Sequence, residues 1–209
     1  MVFFNAINKV LFWPTKTQIK KLCIKWFFKM FLLLYNKNMK KIDNIEFFQT
    51  DTITLAKNLI GKYIVTNIAG KESIAQITQT EAYLGINDSA CHTYKGKHTK
   101  RVEPMWQDGG TIYIYLCYGL HYMFNIVSCK EGQPEAVLIR ATKEAVGPAK
   151  LTKFLNITKE LNGQSIVNNN SISIWDDQKK YSCKSLARIG INYALPKDKN
   201  AKLRFVIFK

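Results

Sequence analysis

Cysteine, histidine and acidic residues are all scarce in this chain, and each scarcity excludes something. The five Cys (Cys23, Cys91, Cys117, Cys129 and Cys183) are odd in number and include no close pair, so neither a disulfide framework nor a zinc knuckle is expected. A reducing cytosol is the expected setting. The three His (His92, His98 and His121) stand apart from any Cys or carboxylate at a recognised ligand spacing. Cys91-His92 alone is a weak metal signal, and neither a metal nor a cofactor is expected. Long apolar runs are missing too. The greasiest stretch, Leu22 to Tyr35, has fourteen residues and is interrupted by Lys25 and Lys29. That falls short of the roughly 20 apolar residues a membrane span needs.

Acid is the scarcest charge. Fifteen Asp and Glu face 31 Lys and Arg, giving a formal charge of +16 and a pI near 9.6. Such a balance favours a polyanionic partner, nucleic acid or an acidic membrane surface. The charge is uneven: residues 1–41 carry nine Lys and no acid, which leaves +7 for residues 42–209. With 209 residues the chain can bury one sizeable core and is short for two. Residues 1–41 are therefore set apart as a basic, apolar extension and 42–209 as a single domain. Within the extension a surface-lying amphipathic helix is one reading, and a mis-set translation start with Met39 as the true beginning is the favoured one. No small-residue cleavage site follows the apolar stretch, so a signal peptide is not expected.

From Asp51 onward the pattern is one of short alternating elements. Asp51-Thr52-Ile53-Thr54 offers caps for a helix through Leu55, Leu59 and Ile60 that stops at Gly61. Lys62–Ile68 and Ile74–Tyr83, joined by Ala69-Gly70-Lys71, predict a hairpin. In its second strand strict alternation places Ile77, Gln79, Glu81 and Tyr83 on one face. Residues 84–110 form a polar segment long enough to be functional or disordered. Its Lys95, Lys97, Lys100 and Arg101 suit phosphate contact. Thr111–Leu116 alternates, with Tyr113 and Tyr115 on one face, and Gly119 marks a turn. Ala136–Ala141 is an apolar strand, Pro148 opens a helix through Leu151, Phe154 and Leu155, Asn162–Asn170 is a loop and Leu203–Phe208 a last strand. No internal repeat is visible.

The informative grouping lies between Gln79 and Arg140. It comprises Gln79-Thr80-Glu81-Ala82-Tyr83-Leu84-Gly85, Ser89-Ala90-Cys91-His92, Gly110-Thr111-Ile112-Tyr113-Ile114-Tyr115-Leu116-Cys117-Tyr118-Gly119 and Val137-Leu138-Ile139-Arg140-Ala141. In this order the motifs resemble the alkyladenine (3-methyladenine) DNA glycosylase family of the non-helix-hairpin-helix type. The likeness runs from about Ile45 to Phe208 and also takes in Gly147-Pro148-Ala149-Lys150-Leu151 and Ala187-Arg188-Ile189-Gly190-Ile191. One departure is Gln79, which stands where the family often has a second Glu.

The resemblance implies a single α/β (α+β) domain, mainly antiparallel sheet with short helices around it. It also implies a monomeric, bacterial-type enzyme at the nucleoid that hydrolyses the N-glycosidic bond of alkylated purines in double-stranded DNA. The substrates implied are 3-methyladenine and 7-methylguanine, with hypoxanthine as a further candidate. Glu81 is then the general base that directs a water, and Arg140 helps it hold that water. Tyr83, His92, Tyr115 and Asn125 line the base pocket, where aromatic faces attract a cationic base by roughly 0.5–2 kcal/mol. Tyr118 is the wedge that fills the gap left by the flipped nucleotide. No Lys lies inside the central motifs to form a Schiff base, so the expected chemistry is monofunctional.

Each assignment has a plainer counterpart. Glu81 and Arg140 also fit structural ion pairs, the aromatics ordinary core packing, Asn125 a turn cap and Tyr118 a hairpin tip packed on its own sheet. At the level of the whole chain, the rivals are a non-catalytic damaged-DNA-binding module and, resting on residues 1–41 alone, a membrane-surface protein.

Overall fold

The computed structural model describes residues 39–208. The stretch on which the surface-helix and mis-set-start expectations fall lies outside the described residues. Among the described residues nine strands build one sheet: β1 (Lys40–Ile42), β2 (Tyr63–Ile68), β3 (Lys71–Tyr83), β4 (Ile112–Cys117), β5 (His121–Val127), β6 (Ala136–Thr142), β7 (Ile172–Asp176), β8 (Ser182–Leu186) and β9 (Arg204–Phe208). Their order is β1-β7-β2-β3-β6-β5-β4; β9 adds to β3, β8 adds to β9, and the pairings are antiparallel. The α-helices among the described residues are short: α1 (Thr52–Asn58), α2 (Pro148–Phe154) and α3 (Pro196–Lys199). None is long and apolar enough to cross a membrane. This is the expected α+β domain, dominated by antiparallel sheet.

Local chemistry explains the elements that carry the site. The Asp51 carboxylate accepts the Thr54 N–H at 2.9 Å and caps α1, which buries Leu55 and Ala56 completely. Pro148 opens α2, where its missing N–H costs nothing, and Leu151 points into the core. The β2–β3 turn is tighter than the sequence implies. Ala69 and Gly70 both take positive φ (51° and 73°), so Lys71 already pairs with Ile68 and the second strand starts three residues before Ile74. Lys40 and Lys41, grouped with the extension by composition, are strand residues paired with Asp176 and Trp175. Their backbone hydrogen bonding decides this, and a Lys count does not register it.

The sheet has apolar material on both faces, and the two faces differ. On one, Ile112, Ile114, Phe124, Ile126, Val137 and Ile139 pack with Leu55 of α1 and Leu151 of α2 in the main core. Each fully buried aliphatic side chain of this kind stabilises the fold by about 1.5–3 kcal/mol. On the other, a smaller cluster of Cys91, Val102, Met105, Tyr113, Val127 and Ala136 lies beneath the long 84–110 segment. That segment is folded around three short 3-10 turns and is neither a strand nor a helix. Strict alternation along β3 fails at one place. The pairing with β6 shifts between Ile77 and Thr80, so Ala75 and Ile77 join the main core and so does Ala82. Ile77 therefore does not share a face with Glu81; the bulge exchanges odd and even positions. Without it, Glu81 would point into the main core.

Candidate active site

The second face of the sheet supplies a row of side chains across four strands. Tyr113 of β4 sits opposite Asn125 of β5, Asn125 opposite Leu138 of β6, and Leu138 opposite Glu81 of β3. Because β3 is flanked here by β6 on one side and β9 on the other, Glu81 stands on an interior strand. Its carboxylate is wholly buried. Burying an ion uncompensated costs several kcal/mol, so its partners matter. Oε1 accepts the Ile189 N–H at 3.0 Å and lies 3.3 Å from Nε of Arg140. Oε2 accepts the Tyr83 hydroxyl at 2.9 Å. Burial raises the pKa of Glu81 above the ordinary carboxylate value, and Arg140, the Ile189 N–H, the Tyr83 hydroxyl and Arg188 work against that rise.

Beyond Tyr83, which hydrogen-bonds the carboxylate, the aromatic residues line a small cleft of about 30 Å³, partly open to solvent, whose lining includes Tyr83, His92, Tyr113, Tyr115, Asn125 and Tyr193. Tyr115 and His92 meet edge to face with centroids 4.6 Å apart, and Tyr113 lies 5.6 Å from Tyr115. The His92 ring is oriented by the Tyr113 hydroxyl, 2.8 Å from Nδ1. Burial, with Arg101 and Lys97 nearby, lowers its pKa to about 4, so the imidazole is neutral at physiological pH. Asn125 is held by its own strand neighbours, Nδ2 donating to Tyr113 O at 3.0 Å and to Met123 O at 3.2 Å. It lies inside β5, not in a turn, which removes the turn-cap reading. The hydroxyl pKa values of Tyr113 and Tyr115 are raised by burial, so both remain neutral donors.

Tyr118 lies away from this cleft, at the tip of the β4–β5 hairpin. It is 92% exposed and takes a left-handed φ of 51°, followed by Gly119 at 69°. The Leu120 N–H closes the turn on Cys117 O at 3.1 Å. A non-glycine residue pays about 1–2 kcal/mol for that backbone state. A tip Tyr packed on its own sheet is not what is found. Lys95, Lys97, Lys100 and Arg101 are all exposed. Lys97 and Arg101 line a second cavity, about 280 Å³, that shares Cys91 and His92 with the aromatic cleft. Arg101 also lies over the Tyr115 ring at 5.7 Å.

Four strands thus bring together the carboxylate, its arginine and the aromatic and amide groups of the cleft. The profile of the methylpurine-DNA glycosylase family matches residues 46–146 and 143–209. The chain belongs to this family. Among its relatives is a protein of Borrelia garinii subsp. bavariensis, 43% identical over 173 residues, covering 77% of this chain and 93% of the relative. Others come from Natranaerobius thermophilus (41% identical; 71% and 87% covered) and Chlamydia felis (40%; 71% and 87%). All three carry the printed name "Putative 3-methyladenine DNA glycosylase".

Sequence reasoning left several groups of this family site unassigned. The Ile189 N–H is a backbone group with no residue signature. Tyr193 lines the cleft while 69% exposed, its hydroxyl donating to Ala90 O at 3.0 Å. Arg188 is buried against Asp88, yet an Arg between Ala187 and Ile189 in a loop reads as a surface residue. Only Glu81 and Tyr83 lie close enough in sequence for their contact to be inferred locally.

Proposed function

We propose that this protein is a monofunctional base-excision repair glycosylase that flips alkylated purines out of double-stranded DNA and hydrolyses their N-glycosidic bond with a water activated by Glu81. The observation that carries the reading is the Glu81 carboxylate: wholly buried, yet held ionisable by Arg140, an N–H and a hydroxyl at the side of an aromatic cleft. A protein that only bound DNA would gain nothing from so costly an anion. An alkylated purine already carries positive charge and leaves readily. What remains is to expose it, deliver water to C1′ and stabilise the oxocarbenium-like sugar.

Glu81 does the last two. Its elevated pKa makes it a better base than a free carboxylate, and its negative charge faces the developing cation. Arg140 keeps enough positive charge beside it to hold the ionised form and the water. Tyr83, His92 and Tyr115 sandwich the base, favouring cationic 3-methyladenine and 7-methylguanine. The neutral His92 ring can hydrogen-bond hypoxanthine. The fixed Asn125 amide discriminates against the exocyclic amino group of undamaged guanine. Tyr118, held out at the strained hairpin tip, enters the stack where the base has left. Lys95, Lys97, Lys100 and Arg101 contact phosphates and offset the few kcal/mol of unstacking. The protein acts as a monomer without metal or cofactor.

The test uses two substrates. Methylated duplex is assayed for release of free 3-methyladenine and 7-methylguanine, and an end-labelled duplex with one hypoxanthine is assayed for strand scission with and without alkali. Release of free methylpurines, with scission of the labelled strand only after alkali, supports the reading. Tight binding of lesion duplex with no release would overturn it in favour of a non-catalytic damage binder.

A further inference from the structure

Arg188 and Asp88 form a second buried ion pair that the chemistry above does not use. Their side chains are 0% and 3% exposed. One terminal nitrogen of the guanidinium donates to Asp88 Oδ2 and to Ala82 O at 2.9 Å, and the other to Asp88 Oδ1 at 2.8 Å and Asp198 O at 3.2 Å. Asp88 in turn accepts the N–H groups of Leu84 and Ala90, each at 3.0 Å. A pair like this costs several kcal/mol to desolvate, and apolar packing serves stability as well or better. Its position accounts for it more readily than its energy does.

The position bears directly on Glu81. Ile189, whose N–H donates to Glu81 Oε1, is the residue after Arg188. The Arg188 guanidinium carbon lies 4.8 Å from the centroid of the Tyr83 ring, and the Tyr83 hydroxyl donates to Glu81 Oε2. Both hydrogen bonds to the carboxylate thus come from groups that Arg188 touches or is bonded to in the chain. Arg140 is the carboxylate's remaining partner, reaching it from β6.

We propose that Arg188, clamped by Asp88, is a positioning residue for Glu81: it holds the 187–190 segment so that the Ile189 N–H orients the carboxylate, backs the Tyr83 ring, and adds a second positive charge that keeps Glu81 ionised. The proposal deepens the glycosylase reading and rests on it. The groups facing Glu81 are Arg140 from β6, Arg188 and the Ile189 N–H from the segment after β8, and Tyr83 on its own strand. Tyr115 and Tyr193 stand further off, their hydroxyl pKa values raised by burial, and Asp88 is neutralised by Arg188 itself. With Arg188 gone, one of the two positive charges that oppose protonation of Glu81 is lost, and the Ile189 N–H and the Tyr83 ring lose the group that positions them.

The experiment is single-turnover excision from a lesion duplex as a function of pH. It compares the unmodified chain, Arg188→Lys, and the double variant Arg188→Met with Asp88→Asn, which leaves no unpaired buried charge. Excision requires ionised Glu81, so its rate rises with pH through the Glu81 pKa. In the double variant that acidic limb should move up by about one pH unit and the plateau should fall about tenfold. Arg188→Lys keeps the charge but loses the fork, so its limb should stay within about 0.3 units while its plateau falls about threefold or more. Affinity for lesion duplex should change little in either. Folded variants that keep both limb and plateau overturn the proposal. If the double variant does not fold, Arg188→Lys decides, and an unchanged plateau in it is refuting. An unmodified chain that releases no base would refute the glycosylase reading instead, a separate outcome.

Discussion

Replacing Glu81 by Gln isolates the charge and basicity of the carboxylate from its shape. In the native site Oε1 accepts from Ile189 N–H and faces Arg140, while Oε2 accepts a hydrogen bond from the Tyr83 hydroxyl. The introduced amide keeps its oxygen toward Ile189 and Arg140 and turns its NH₂ to the Tyr83 oxygen, so the Tyr83 hydroxyl loses the acceptor that Oε2 gave it. Arg140 is 19% exposed and can recover some hydration. Loss of the charge-assisted bonds costs the fold about 1–2 kcal/mol, partly offset by relief from burying an ion. Excision loses far more. A positioned general base contributes about 10²–10⁴-fold, so a fall of at least 10²-fold, about 2.7 kcal/mol of barrier, is expected. Single-turnover excision from a lesion duplex measures it, alongside the thermal midpoint and the affinity for the same duplex. The reasoning fails if the Glu81→Gln protein excises within about tenfold of the native rate, or if binding falls as far as excision.

Tyr118→Ala should weaken binding to lesion duplex by about tenfold or more and to single strands much less, since a wedge acts on a stack; equal losses in gel-shift titrations would contradict it. Its folding stability should not drop, because the side chain is 92% exposed and the left-handed backbone gains nothing from it. His92 predicts a pH effect on stability. Its pKa is lowered from 6.5 to about 4 in the folded state, so the stabilisation is complete above 6.5 and is lost as pH falls towards 4. The loss amounts to about 3 kcal/mol at most. Thermal midpoints of His92→Asn should be less sensitive to pH over that window than those of the native chain, and equal slopes would refute the shift. Asn125→Ala should let the cleft accept undamaged guanine, detected as slow release of guanine from unmodified duplex, while costing about 1–2 kcal/mol for the lost bonds to Tyr113 O and Met123 O. No increase in guanine release would remove Asn125 from discrimination.

Local chemistry in the sequence was enough to specify much of this protein. Asp51 as a cap, Pro148 as a helix start, the Tyr113/Tyr115 alternation and the Tyr118-Gly119 turn all act over a few residues, and each is found where the pattern puts it. The ordered motifs from Glu81 to Arg140 carried the family. Strands without a strong local signature were not legible. Lys40–Ile42 and Ser182–Leu186 are strands because β7 and β9 offer them backbone partners. The same limit applies at the site. That Glu81 lies outside the main core at all depends on the bulge near Gln79, which reverses the parity that simple alternation implies. That its carboxylate is ionisable depends on Arg140 from β6 and an N–H from Ile189, more than a hundred residues further on. Periodicity reports which residues share an element. Only closure of the sheet determines which charges meet, because desolvation and pairing are properties of the packed neighbourhood and not of the strand.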